Sequence, residues 1–567
     1  MAESLVDWLR RAAAVPAAGL RLVDRRERER MLTWAEVAAA AERVAGGLQA
    51  LGVRPGERVG LVYPTGEEFF AAFFGALRAG AVPVPLPPPL RLGALAAWRG
   101  AAASRLRGVA AALALTERRL RRPVSEAAAA ATTPGGARTL DGLPAAAALP
   151  VAVDGADLAL VQLTSGTTGE PRGVALTHAA LMAQARILNG FWPDGAGAAH
   201  TGVSWLPLYH DMGLVGGVLT ALERPATLTL LPPEGFIARP ALWLRAISRA
   251  RATVSAAPDF AYRLCVEQVR DDELAGVDLS CWRVALDGAE PVSAAVLGAF
   301  ARRFARWGFR REALTPVYGL AEAGLAVTFG ELEAPFTARR FAADPLASRG
   351  EAVEAPAGRE LVALGRPVPG FAVEVRDRAA GRLPEGRVGR VWARGPSLMQ
   401  GYLDRPAETA RVLRDGWLDT GDLGFLYRGD LYLVGRAREV IVVRGRNLAP
   451  AEVEEPVAAV PGVRRGGVAA MGWSSGDGLG EALVVLLEAD EEVAPARLPE
   501  LAAAAREAAL AAAGVAPRRV AVVAARALPR TSSGKLRRGA ALRALLAGDL
   551  TVLAELGVDG GGGGSGA

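Results

Sequence analysis

Residues 164–173 read TSGTTGEPRG and follow directly on an apolar run, Leu158 to Leu163. Glycines at a strand end leave backbone N–H groups exposed, and hydroxyl side chains add donors, so such a segment can cradle phosphate oxygens. A Ser/Thr/Gly-rich surface loop has the same composition. The pattern is not GxxxxGK followed by Ser or Thr, which disfavours an ordinary P-loop nucleotide hydrolase. A second candidate lies far along the chain. Of 66 lysines and arginines only Lys535 is lysine, in PRTSSGKLRR, with small residues before it and basic residues after it. Arginine and lysine differ where a compact point charge must enter a tight site, so a retained ammonium beside flexible residues is suited to meeting negative charge as it develops; chance survival is the plain alternative.

Other chemistry-bearing residues sit in short, distinct stretches: His210 in WLPLYHDMGL (205–214), Gly288 to Glu290 in LDGAEPV (286–292), Tyr318 and Glu322 in YGLAEA (318–323), Asp422 in DTGDLGF (419–425), Arg436 and Arg438 in GRAREVIVVRGRN (435–447). Singly, each has an ordinary explanation. Glu322 reads as a solvated glutamate on a helix face, Tyr318 as a core aromatic, Asp422 as a turn former and His210 as a structural histidine. Together with the Thr164 and Lys535 segments, and in this order over nearly the whole chain, they resemble the signature motifs of the adenylate-forming superfamily: acyl-CoA ligases, peptide-synthetase adenylation domains and luciferases. YHDMGL, YGLAEA with Ala321 where many relatives carry threonine, DLGF and RGRN look most like fatty acyl-AMP ligases. The 330–364 segment fits the place of that branch's extra insertion.

The resemblance implies a reaction and a site. Joining a carboxylate to the α-phosphate of ATP brings two anions together, and cationic and hydrogen-bonding groups must gather where charge accumulates. By resemblance, Thr164, Ser165, Gly166, Thr167, Thr168 and Gly169 hold the phosphates, with Arg172 keeping the charge of the family's lysine. Tyr318 and Gly319, with the backbone at Gly288, Ala289 and Glu290, surround adenine. Asp422 accepts the ribose hydroxyls with help from Arg436, since a carboxylate offers two acceptors to a vicinal diol. Glu322 and Thr168 hold Mg²⁺, a hard ion suited to oxygen ligands. Lys535, Glu322 and His210 form the expected catalytic set, His210 orienting the acyl carboxylate or gating its pocket. The implied cofactors are ATP and Mg²⁺, with no protein-bound prosthetic group.

The implied products are acyl-AMP and pyrophosphate, the acyl group then passing to the phosphopantetheine thiol of an acyl carrier protein supplied in trans. A fatty acyl-CoA synthetase using free CoA is the alternative. An inactive nucleotide-binding relative is less favoured, because Thr168, Glu322, Asp422, Arg436 and Lys535 are all present. The branch points to lipid, polyketide or lipopeptide biosynthesis.

These residues need a scaffold. Thr33 to Glu36 is a capping-box pattern opening an amphipathic helix that stops at Gly52. A strand at 59–63, a helix at 67–78 and a strand at 81–85 predict a parallel pairing. Buried strands are expected at 158–163, 203–206, 227–231, 253–256 and 282–286, with helices at 241–251 and 293–307, whereas 101–149 is alanine-rich and uninformative. The fold class is therefore α/β, a large multi-subdomain body with parallel sheets and a small β subdomain starting at 368–392, plus a small mobile α+β domain. The expected boundaries are 1–435 for the adenylation domain, 436–440 for a hinge centred on Arg438, 441–558 for the mobile domain carrying Lys535, and 559–567 for a glycine-rich tail.

With 567 residues, 51% hydrophobic and 22% charged, the chain is globular rather than disordered. Its two cysteines, Cys265 and Cys281, read as buried small hydrophobes, and three histidines make a protein zinc site improbable. A net charge of +6 spread without a basic block does not favour nucleic acid. Acidic carrier proteins would suit the pairs Arg464/Arg465, Arg518/Arg519 and Arg537/Arg538, which also read as solvated faces. No membrane-length apolar run or signal-peptide order is visible, so a cytoplasmic, non-integral protein is expected.

Overall fold

The computed structural model describes residues 3–89, 95–164, 172–193, 200–443, 446–473, 481–531 and 536–557, of which 446 and 447 are described by their backbone only. The capping box forms as the sequence predicts: the Thr33 hydroxyl accepts from the Glu36 N–H, the Glu36 carboxylate accepts from the Thr33 N–H, and the helix runs Trp34–Ala50. Strands Arg58–Val62 and Val82–Leu86 pair in parallel across helix Glu67–Arg78. Leu113–Thr116 and Ala137–Arg138 extend this sheet to four strands, also in parallel. The last two come from the alanine-rich stretch, which carries real structure. Helices Leu95–Gly108 and Arg121–Ala130 bury Ala102, Ala103, Leu106, Val124, Ala127 and Ala128. Alanine on both helix faces erases the polar–apolar contrast from which a helix is read.

A nine-stranded sheet forms the second layer, with five consecutive parallel pairings from Gly19–Val23 through Thr227–Leu230, Gly202–Ser204, Val254–Ala257 and Val284–Asp287 to Leu314–Leu320. Its flank is packed by Trp243, Tyr262, Trp282 and Phe300, all fully buried and meeting mostly edge to face. Leu158–Thr164 does not join this parallel body. It pairs antiparallel with Arg172–Thr177, which places both ends of the TSGTTGEPRG segment side by side.

The β subdomain reaches further than 368–392, because Ala372–Arg376 and Gly389–Arg394 are completed by Trp417–Tyr427 and Asp430–Arg436. Between it and the YGLAEA strand, Ala338–Phe341 pairs with Arg359–Val362. That added ladder has a small core of Phe341, Leu346 and Leu361 against Phe425 and Tyr432. After the turn at 437–439 the chain builds a separate subdomain. A four-stranded sheet, ordered Val463–Trp473, Ala482–Ala489, Arg519–Val523, Val552–Gly557, is covered on one face by Pro450–Ala458 and Leu498–Ala513 and on the other by Arg538–Leu546. Among the described residues no helix is long and apolar enough to cross a membrane.

The Gly560–Gly564 run lies outside the described residues. Cys265 is buried, and burial raises its thiol pKa, whereas Cys281 is only half-buried, so its reading as a fully buried hydrophobe is corrected.

His178 shows how the N-terminal helix is fastened. Its ring is 1% exposed, and Nδ1 accepts a hydrogen bond from the Leu5 N–H at 3.1 Å, at the start of helix Leu5–Ala13. Burial lowers its pKa to about 4, against the opposing pull of Asp157 and Asp7. Between the ordinary imidazole value near 6.5 and 4, the unfolded chain binds more protons than the folded one, so stability falls as pH drops through that window. Urea midpoints measured from pH 7 to pH 4 should decrease for the wild type, and this histidine's share of the decrease, on the order of 3 kcal/mol, should vanish in His178→Gln.

Candidate functional site

A cleft of about 2840 Å³ runs between the main body and the C-terminal subdomain, and Thr164, His210, Tyr318, Glu322, Asp422 and Arg436 all line it. The sequence-predicted residues converge from six separate chain segments. Ser165, Gly166, Thr167, Thr168, Gly169 and Lys535 lie outside the described residues. Thr164 ends the strand that leads into the first of these segments, and Arg172 begins the strand that leaves it.

Asp422 is the electrostatic centre of the polar end. It lies inside strand Trp417–Tyr427, in register with Arg436, and not in a turn as its local composition allowed. The Tyr318 hydroxyl donates to Asp422 Oδ2 at 2.6 Å, and Arg436 Nε pairs with Oδ1 at 3.2 Å. Burial raises the Asp422 pKa, while Arg436 and the Tyr318 hydrogen bond oppose that shift. Tyr318 is thus more than core filling, since its hydroxyl holds a carboxylate across 104 residues of sequence. Its neighbour Gly319 is required by packing: a Cβ there would sit 1.9 Å from the Leu325 carbonyl oxygen. Arg390 supports the same strand with a two-pronged contact to Asp419, at 3.1 and 2.8 Å.

The LDGAEPV loop leaves strand Val284–Asp287 and turns with Ala289 at φ 68°, so that Ala289 and Glu290 face the cleft while Gly288 packs on Val317. Glu290 also has a structural task, its Oε1 accepting from the Phe260 N–H at 2.6 Å.

Glu322 sits in a single 3₁₀ turn, Ala321–Ala323, and is not a solvated helix-face residue. Tyr402 donates its hydroxyl to Glu322 Oε1 at 2.9 Å, and burial raises the Glu322 pKa. Glu322 is half-buried, and beside the Tyr402 hydroxyl its own backbone N–H and the Arg436 charge favour its ionised form. Among the described residues no group of three or more His, Cys, Asp or Glu could hold a metal ion. A cation held at Glu322 would need further oxygen ligands, such as phosphate and water, a set that Mg²⁺ accepts.

The ring of Tyr402 carries the Arg172 guanidinium 5.1 Å from its centroid, and Arg172 pairs with Glu408 at 2.9 Å, at an angle that makes it an ion pair and not a hydrogen bond. The positive charge at 172 is therefore already partnered within the protein. Tyr402 and Glu408 carry no recognisable signal in GYLDRPAET, and only the fold brings them to Glu322 and Arg172.

His210 lines the cleft beside Tyr209, their rings 5.6 Å apart. Leu188, Trp192, Val203, Gly216, Leu325 and Phe329 line the same cleft. Gly216 belongs to a π-helical stretch, Leu214–Leu219, a widened turn often found where a helix borders a functional cavity. The other two histidines are structural: His178 in the core, and His200, which bonds Thr253 and the Pro193 carbonyl.

On the far wall Arg438 lines the cleft from a turn in which the Glu439 and Val440 N–H groups donate to the Arg436 carbonyl. Glu439 pairs with Arg538 at 2.9 Å, and Arg538 also grips Glu454 with two bonds of 2.7 Å. Several members of the predicted basic pairs are thus neutralised within the chain: Arg464 by Glu488, Arg465 by Glu267, Arg519 by Glu555 and Arg538 by its two glutamates.

Comparison with known proteins places this geometry. The family model described as "AMP-binding enzyme" matches residues 9–403. A putative acyl-CoA synthetase of Caulobacter vibrioides is 37% identical over 550 residues, 94% of each chain. The medium-chain-fatty-acid–[acyl-carrier-protein] ligase JamA of Moorena producens is 33% identical over 556 residues, 92% of this chain and 90% of that one. A solved structure from work on fatty acyl-adenylate ligases of E. coli and L. pneumophila superposes with a TM-score of 0.89 at 34% identity, covering 96% of this chain and 98% of that one.

Removing the Tyr318 hydroxyl should leave Asp422 buried with Arg436 alone. Tyr318→Phe is expected to lower unfolding stability by about 2 kcal/mol, the usual scale for a hydrogen bond to a charged group, as read from denaturant melts.

Proposed function

The chain belongs to the AMP-binding enzyme family, and on that premise we propose that it is a fatty acyl-AMP ligase that loads an acyl carrier protein. A fatty acid carboxylate attacks the α-phosphorus of ATP, the bond to the bridging oxygen breaks, and acyl-AMP and pyrophosphate form. The thiol of a phosphopantetheine arm then attacks the acyl carbon, AMP leaves, and a thioester remains. The observation that carries the proposal is that one cleft is lined both by charged residues, Asp422, Arg436 and Glu322, and by apolar ones, among them Leu188, Trp192, Leu325 and Phe329, with His210 also in its lining.

In this reading Asp422 takes the ribose hydroxyls by exchanging its bond to Tyr318 for bonds to the diol, and Arg436 holds its charge in place. Tyr318, Gly319 and the backbone at Gly288, Ala289 and Glu290 form the adenine wall. Residues 164–169 receive the phosphates, and Arg172, held by Glu408 and Tyr402, borders them as a fixed guanidinium. Glu322 and Thr168 would hold Mg²⁺, which when bound neutralises phosphate charge. His210, in the lining of the cleft, orients the carboxylate. Lys535 supplies an ammonium to the carboxylate and α-phosphate oxygens as charge develops. Residues 1–435 form the adenylation domain and 441–558 the moving one, with a hinge at Arg438 in the 436–440 segment, so that one cleft serves both half-reactions.

Resemblance to JamA supports a carrier protein as acceptor. A specific observation favours a second reading, free CoA as acceptor: the relative at 37% identity is named a putative acyl-CoA synthetase.

The test is product analysis by mass spectrometry with Mg·ATP, a panel of fatty acids, and either CoA or a phosphopantetheinylated carrier protein. Acyl-AMP and acylated carrier with little acyl-CoA is the expected result, and abundant acyl-CoA would move the protein to the second reading. Lys535→Ala should lose several orders of magnitude in acyl-AMP formation while its melting transition stays near wild type; undiminished formation would remove Lys535 from the catalytic set.

A further inference from the structure

The stretch that precedes the Lys535 segment is fastened to a carboxylate that no motif contains. Glu488 stands at the end of strand Ala482–Ala489 with 0% exposure. Its Oε1 accepts the Leu528 N–H at 2.8 Å, and its Oε2 accepts from Arg464 at 2.6 Å. Arg530, two residues beyond Leu528, lies in the field of Glu488 and donates to the Gly466 carbonyl. The base of the segment is then closed: Arg530 and Leu536 form a β-bridge, and the Arg537 N–H donates to the Pro529 carbonyl at 2.9 Å.

The strand opposite is shaped to admit this carboxylate. Register between Val463–Trp473 and Ala482–Ala489 slips between Val463 and Val468, bulging out the residues that carry Arg464 and Gly467. A Cβ on Gly467 would lie 2.8 Å from both Glu488 Cβ and Glu488 Oε2, so only glycine leaves room for the side chain as it sits. A fully buried carboxylate is costly unless its partners satisfy it, and here Arg464 belongs to the bulge and Leu528 to the stretch that leads to Lys535.

We propose that Glu488 is a positioning residue for acyl-AMP formation: seated in the Arg464–Gly467 bulge, it fixes the 528–530 stem and thereby serves the step assigned to Lys535. This rests on the assignment of Lys535 above. Glu488 touches no substrate and acts only through the lysine segment. On the other side of the segment Arg538 is held by Glu439 and Glu454, so displacement of the stem from Glu488 is not absorbed by the following helix.

The experiment compares Glu488→Gln, Gly467→Ala, Lys535→Ala and the Lys535→Ala/Glu488→Gln double variant, each checked for folding by thermal melt. Two rates are measured: pyrophosphate release with fatty acid and Mg·ATP, and thiol acylation from supplied acyl-AMP. Glu488→Gln should lower kcat for pyrophosphate release by about tenfold or more, with KM for ATP and acid within about twofold. Acylation from supplied acyl-AMP should stay within about twofold of wild type, and the double variant should be no slower than Lys535→Ala alone, the non-additivity expected of residues that act as a unit. Gly467→Ala, which keeps the charge but crowds the carboxylate, should show the same split, and it carries the test by itself if Glu488→Gln does not fold. Equal losses in both half-reactions, multiplicative losses in the double variant, or wild-type rates in both single variants would overturn the proposal. If Lys535→Ala itself retains pyrophosphate release, the Lys535 assignment fails first and is recognised as the cause.

Discussion

The buried Asp422 carboxylate is the contact on which the geometry of the cleft depends. Left alone in the interior it would be protonated or expelled, and it stays because Tyr318 and Arg436 reach it from different strands. Tyr318 belongs to the nine-stranded sheet, and Arg436 closes the last strand of the β subdomain. The pair therefore joins two layers at the wall of the cleft and sets where the chain leaves for the C-terminal subdomain. The Ala437 N–H, next in sequence, donates to the Gly421 carbonyl, so the turn begins from a fixed point.

Tyr402 organises the second half of the polar end by using both of its faces of chemistry. Its hydroxyl meets Glu322, and its ring meets Arg172. An arginine suits this position better than the lysine of the resembling motif, because a planar guanidinium can lie on an aromatic ring and still reach Glu408. The substitution thus exchanges a free point charge for a packed one. Charge at position 172 becomes part of the framework.

Much of the scaffold was legible because burial and chain reversal leave local marks. The Thr33–Glu36 box and helix 67–78 appear where periodicity and capping place them. The alanine-rich stretch was not legible, since alanine occupies both faces of its helices. Asp422 was ambiguous for another reason: TGDLG has the composition of a turn, yet Gly421 at φ 82° sits within a continuous strand. Site residues inside distinctive motifs could be named from sequence. Tyr402 could not, because its partner is 80 residues away, nor could Glu488, 40 residues from Leu528. Such residues are defined by what they meet, and a single chain of letters does not contain that distance.

The arginine-rich composition gains a physical sense from these contacts. Arg376 lies 4.7 and 4.6 Å from the Trp392 and Trp417 ring centroids, Arg390 forks onto Asp419, and Arg538 spans Glu439 and Glu454. Each uses the planar, multidentate head that lysine lacks, and each becomes less mobile by doing so. A group that must enter the cleft for one step and withdraw for the next has the opposite requirement: compact, strongly charged and not held by its own protein. Under the proposed function that requirement falls on position 535, the single lysine of the chain, where the rigidity of a guanidinium fork would be a disadvantage.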